Sequence, residues 1–364
     1  MKIKNIAAYL EELAPLSLQE NYDNAGLLVG NRESECTGII VSLDVTEKVV
    51  EEAVTKKCNL IVAHHPIIFK GLKKITGKNY VERTVIAAIK NDIAIYAIHT
   101  NLDNVVEGVN RMIAEKLKLQ NCVALLPKEQ ALKKLVTFAP AKNAEEVRKV
   151  LFLAGAGAIG NYDECSFNVQ GEGTFKAGEG SKPFVGEIGK RHVEPETRIE
   201  VIFPSYLQNN IITSLKKHHP YEEVAYYITS LDNVLDTRGS GLIGDLENEI
   251  SEIELLELLK KEFGLSVIKH TSLLQQKVKT IALCGGAGIF LLPFAKSTGA
   301  QVYITADIKY HEFFDADDTL LLADIGHYES EQFTMNLLTE FLQQKFPNFA
   351  VQKTEMNTNP VNYY

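Results

Sequence analysis

Short all-apolar runs alternate, over the first third of the chain, with stretches whose apolar positions recur every three or four residues. A β-branched run at 38–44 ends in Asp44. Thr46 then caps an amphipathic stretch at 47–57, with Val49, Val50 and Val54 on one side. The same reading predicts a strand at 59–63, a helix at 79–90, a strand at 92–98 and a helix at 108–117. This order of elements predicts a largely parallel sheet.

The pattern changes after about residue 125. A strand at 135–138 and a helix at 144–155 are followed by a Gly-rich stretch, 155–189, that alternates polar with aromatic residues and predicts hairpins. A strand at 198–203, a helix at 205–217 and a strand at 222–228 come next. Two strand–helix–strand passages around hairpins predict a small ferredoxin-like α+β unit. The α/β pattern returns after about residue 235, with a helix at 251–263, strands at 279–284, 301–305 and 319–323, and a long helix from 326 to 344.

Composition adds bounds to this outline. The 364 residues are 45% hydrophobic and 23% charged, as in an ordinary globular protein of about two or three domains. A net charge of −9 argues against wrapping a nucleic-acid backbone. No apolar run reaches the ~18 residues of a membrane span. Glu11 and Glu12 stand where a secretory leader would be apolar, so the N-terminus reads as an amphipathic helix. The five cysteines are scattered without a CxxC pair, which points to buried thiols in a reduced, cytoplasmic compartment.

Candidate chemistry collects at the carboxyl ends of predicted strands, the edge at which open α/β sheets bind ligands. One strand delivers His64, His65 and Pro66, another His99 to Asp103, and a third Asp324, His327 and Glu331. His327 and Glu331, four apart, share a helix face. His64 and His65 converge only where their strand ends, because strand side chains alternate. Three histidines and two carboxylates (His64, His65, Asp103, His327, Glu331) match two cations with a bridging carboxylate better than one closed structural zinc. His99 and His311 are candidates for proton handling, since a neutral imidazole titrates near ~6.5. The second His-His-Pro, at 218–220, reads as a solvated helix end, and His192 and His270 as surface histidines. Gly285-Gly-Ala-Gly288 reads as a tight turn rather than a phosphate loop.

These motifs, Ala63-His-His-Pro66, His99-Thr-Asn-Leu-Asp103 and Asp324-Ile-Gly-His-Tyr-Glu-Ser-Glu331, together with Asn21-Tyr-Asp-Asn-Ala-Gly-Leu27, resemble those of the GTP cyclohydrolase 1 type 2 homologs, a dinuclear-metal family. The resemblance covers essentially the whole chain. It implies His64, His65, Asp103, His327 and Glu331 as ligands, with Asp103 or Glu331 as the bridge. It also implies a discontinuous α/β domain, 1–125 with 235–364, and an inserted PII/CutA-like domain at 126–234 carried by Gly155 to Tyr162, Cys165 to Phe167 and His219 to Glu223. Toroidal hexamers and a nucleotide substrate, GTP, belong to the same implication. The expected cofactor is two divalent ions per chain, zinc first, with iron or manganese also suited. The leading functional expectation is a metal-dependent hydrolase using a metal-bridged water on a small substrate. The alternative is a non-enzymatic metal-responsive scaffold, regulator or metallochaperone.

Overall fold

Helix starts follow the side chains that satisfy their free amides. In the computed structural model, which describes residues 1–364, Thr46 Oγ1 accepts from the Val49 amide at the start of the helix Glu47–Thr55. Asn79 accepts from the Glu82 amide, 2.9 Å away, before the helix Tyr80–Lys90. Ser251 and Glu254 form a reciprocal capping box on the helix Glu252–Phe263, which Gly264 ends at φ +67°.

The chain divides into two compact units, residues 1–127 with 236–364, and residues 128–235. The first unit holds two sheets. One runs in the order Gly26–Val29, Ala94–Ala97, Leu60–Ala63, Ile39–Ser42, Val351–Lys353, with the last four strands parallel. The other runs Lys269–His270, Leu321–Asp324, Val302–Thr305, Lys277–Leu283, Gly239–Ser251, Gln120–Pro127, parallel in its middle three strands and antiparallel at its edges. The largely parallel α/β arrangement is thus shared between two sheets.

Both sheets are anchored by apolar faces. Ile40, Ile61 and Ile95 pack under Val49, Val50, Ala53 and Val85 of the covering helices. In the second sheet, Ile281, Leu283, Ile304 and Leu321 pack with Leu255, Leu259 and Phe263. Each fully buried aliphatic side chain contributes about 1.5–3 kcal/mol, so the strand ends projecting from these layers stand on rigid ground. The stretch 326–344 is two helices, His327–Glu331 and Thr334–Lys345, separated at Gln332 and Phe333.

The second unit follows the order strand Leu132–Pro140, helix Ala144–Leu153, strands Phe167–Lys176 and Arg191–Pro204, helix Gln208–His218 and strand Tyr226–Ser230. Its four strands form one antiparallel sheet with Leu132–Pro140 and Arg191–Pro204 at the centre, a ferredoxin-like arrangement. The helices cover the face that carries Leu135, Ile199, Val201 and Phe203. Two histidine expectations change here. His219 is buried rather than solvated, because its Nε2 donates to the Phe138 carbonyl at 3.0 Å and its Nδ1 accepts from the Tyr221 amide. His192 has an acidic partner after all. Glu194, two residues on and therefore on the same strand face, lies 2.8 Å from its Nε2.

Candidate metal centre

The parallel strands of both sheets deliver their carboxyl ends to one cavity of about 670 Å³ in the first unit. His64 and His65 follow Leu60–Ala63, His99 and Asp103 follow Ala94–Ala97, and His327 and Glu331 follow Leu321–Asp324. Residues some 260 positions apart in sequence touch here: His65 Nε2 lies 2.9 Å from Glu331 Oε2 and 3.3 Å from His327 Nε2. His64 Nε2 lies 3.7 Å from Asp103 Oδ1 and 3.8 Å from Glu331 Oε1. His327 Nε2 is 3.1 Å from Glu331 Oε2.

Each of four imidazoles has its Nδ1 held by an oxygen acceptor at 2.8 Å. The acceptors are the Ile98 carbonyl for His64, Asp44 for His65, Asp23 for His99 and Asp307 for His327. Such an outer contact fixes the ring orientation and leaves Nε2 as the free nitrogen, the arrangement that accompanies metal-ligating histidines. Two groups, His64 with His65 and His99, and His65 with His327 and Glu331, are close enough to hold a metal ion.

The charges here are under strain without a cation. His64 Nε2 and Asp103 Oδ1 are buried and have no hydrogen-bond partner. Burial, then the charge of Glu331, pushes the Asp103 carboxyl well above the usual range. Burial also acts on Glu331, but the imidazoles of His327, His64 and His65 around it outweigh it and hold that carboxyl well below its usual range. Burial disfavours a charged His65, yet Asp44 and Glu331 push it up to about 10. In the same way burial is outweighed at His327, which Glu331 and Asp307 raise to about 9. At Asp23 burial is overcome by His99 and Thr100, which bring the carboxyl down to about 2. A divalent ion fits this donor set, since it would engage the two orphaned atoms and take the place of the imidazolium protons.

Glycines make the room. Gly286 adopts φ +62°, and a Cβ there would stand 2.3 Å from Glu331 Oε1. The turn that follows the strand Lys277–Leu283 therefore admits the carboxylate as well as reversing the chain.

His311 is not brought to the centre. It is exposed on the 3₁₀ segment Tyr310–Ala316, its ring against Tyr310 and Phe314, and it does not line the cavity. Asp324 faces the cavity but is tied to Lys269 at 2.6 Å and to the Ile308 and Gly326 amides. The sequence reading left Asp23, Asp44 and Asp307 without a role. Asp44 carried a usable signal, an acid at the carboxyl end of a strand, and Asp23 sits inside the quoted Asn21 to Leu27 motif. Asp307 had none.

A family model for DUF34/NIF3 (NGG1p interacting factor 3) matches residues 1–360. The chain belongs to this family. Among DUF34/NIF3 relatives, a protein of Bacillus subtilis (strain 168) named GTP cyclohydrolase 1 type 2 homolog is 36% identical over 365 residues, 99% of this chain and 98% of its own length. One of the same name from Halalkalibacterium halodurans is 36% identical, with both chains fully covered. The crystal structure of a Bacillus cereus protein related to NIF3 superposes with a TM-score of 0.88 at 38% identity, covering 100% of this chain and 99% of that one. Staphylococcus aureus protein SA1388 superposes at 0.77 and 28% identity, with the same coverage. No helix is long and apolar enough to cross a membrane.

Proposed function

We propose that His64, His65, Asp103, His327 and Glu331 hold two divalent cations, zinc first, and that the protein is a metal-dependent hydrolase of a small substrate. One observation carries the reading: two ligand-type atoms, His64 Nε2 and Asp103 Oδ1, are buried without partners beside imidazoles whose other nitrogens are already fixed. When bound, the cations supply Lewis acidity, which lowers the pKa of water toward ~7. The chain supplies the rest. Asp23 orients His99 so that its Nε2 takes and returns a proton, and the Tyr22 and Phe69 rings, 6.1 Å apart, give the substrate an apolar wall. Assembly as a toroidal hexamer in the cytoplasm belongs to the same proposal.

The relatives' name points to GTP, but the lining favours a substrate of low negative charge. Seven carboxylates face this cavity against a single lysine, Lys269, which is committed to Asp324, so that even two divalent cations leave the carboxylates in excess. Lys70, Lys73, Lys74 and Lys309, the cations nearest in sequence to the motifs, do not line it. Zinc-loaded wild-type protein, assayed against neutral amides, cyclic imides and esters alongside GTP, is expected to turn over an uncharged substrate. His99→Ala is expected to lower kcat by about 10²–10⁴-fold. Absence of turnover across the set, in protein with full metal content, overturns the hydrolase reading and leaves the metal-responsive scaffold.

A further inference from the structure

The oxygen acceptors that orient the four imidazoles are not equally secured. The Ile98 carbonyl, which holds His64, is part of the backbone just past the strand Ala94–Ala97. Asp23, which holds His99, also receives the Asn24 amide at 2.6 Å, and the Thr100 amide and hydroxyl donate to its second oxygen. Asp307 holds His327 from the surface, with no further partner. Asp44, which holds His65, has one: Thr358 Oγ1 donates to its second oxygen at 2.8 Å. That contact bears on the whole centre. The terminal torsion of an aspartate is broad, so hydrogen bonds have to set the plane of its carboxylate. Asp44 is only partly buried, and His65 belongs to both of the groups close enough to hold a metal ion. A swing of Asp44 would therefore pass to the one imidazole that the two groups share.

The residue that prevents this swing comes from far along the chain. Thr358 stands 314 residues from Asp44, on a stretch that follows the strand Val351–Lys353. Before it, the Thr354 amide donates to the Val41 carbonyl at 2.9 Å, and Met356 packs on the apolar layer of the first sheet. After it, Asn359 Nδ2 donates at 3.1 Å to Glu329 Oε1, on the helix His327–Glu331. The stretch thus runs from the first sheet to the helix that carries His327 and Glu331. Along the way Asn359, Pro360, Val361 and Tyr363 line the cavity. Side chains hold it there, since the backbone of residues 357–363 makes no hydrogen bond to the rest of the chain.

We propose that Thr358 is a positioning residue of the metal centre, which acts through Asp44 to fix the His65 imidazole. Its hydroxyl occupies one carboxylate oxygen, so that the other is presented to His65 Nδ1 in a set plane and His65 Nε2 is aimed at the neighbouring donors. The same contact seats the stretch that forms one wall of the cavity. This inference rests on the metal reading above.

Competition of the full-length protein with a chromophoric zinc chelator tests it, with the visible spectrum of the cobalt(II)-loaded protein as a second readout. Thr358→Val keeps the shape of the side chain and removes the donor. It is expected to weaken the binding of at least one zinc ion by about 10–100-fold and to change the cobalt spectrum. Thr358→Ser keeps the hydroxyl and is expected to restore both to wild-type values. In an Asp44→Ala background, Thr358→Val is expected to add no further loss, because the hydroxyl acts only through that carboxylate. Wild-type affinity with an unchanged spectrum in Thr358→Val would overturn the proposal. So would an equal loss in Thr358→Ser, or a loss that adds to that of Asp44→Ala. Wild-type protein that binds no zinc would instead overturn the metal reading itself, and this proposal with it.

Discussion

The histidines of the centre show how neighbouring carboxylates set the charge of single residues. In the metal-free protein His65 is pushed up to about 10 and His327 to about 9, the carboxylates prevailing over burial in both cases. An unfolded histidine titrates near ~6.5. The folded protein therefore binds these protons more tightly than the unfolded chain, and their contribution to stability is complete below about pH 6.5 and lost as pH rises through 9 to 10. Thermal melts of metal-free protein between pH 6 and 10 should show Tm falling across that window. A Tm that holds level or climbs would contradict the assignment of these charges. Gly286 offers a second residue-scale prediction. Gly286→Ala pushes against Glu331 Oε1 and should cost the protein most of its bound metal, as counted by elemental analysis of the folded variant. Retention of full metal content would mean that Glu331 holds no ion. At this scale the sequence was informative about ligand-type residues and poor about their supports. His64, His65, Asp103, His327 and Glu331 were legible because strand ends and helical spacing are local patterns. Asp307 was not, because its partner His327 is 20 residues away and only the loop's path joins them. His311 misled for the same reason: it follows a strand, but the 3₁₀ segment turns it outward among Tyr310 and Phe314.

Elements were legible where their signals were local. The helix Glu252–Phe263 begins at a capping box and ends at a glycine, and both marks stand in the sequence. Ser251→Ala removes that cap and should cost about 1 kcal/mol. That cost is expected as a fall in Tm of about 2–4 °C, read by calorimetry, with metal content unaltered. A loss of metal in that variant would mean that the helix does more than support the sheet. Pairing between distant strands was not legible. Val351 lies opposite Ile39 and Gln352 opposite Ile40, a partnership no local pattern announces. The strands Gly239–Ser251 and Gln120–Pro127 close one edge of the second sheet; the first carries three glycines and three acids and the second opens on Gln120 and Asn121, so the α/β pattern passed over them. The largely parallel sheet expected from sequence is divided between two sheets, because the strands of the two ends of the chain pair mostly within their own groups.

The cavity is built from side chains drawn from both ends of the chain. His65 and Glu331 are 266 residues apart, and they meet only because the strands Leu60–Ala63 and Leu321–Asp324 belong to sheets whose carboxyl ends open on one cavity. A cation held there would tie the two sheets together, so chelation of the purified protein should lower Tm and re-addition of zinc should restore it. The central claim is that this centre holds metal through these five side chains. Elemental analysis of metal per chain tests it most directly, on wild-type protein purified without added metal and on folded Asp103→Ala. The account predicts close to two divalent ions per chain in the wild type and a clear loss in the variant. Near-zero metal in the wild type, or an unchanged count in Asp103→Ala, would contradict it.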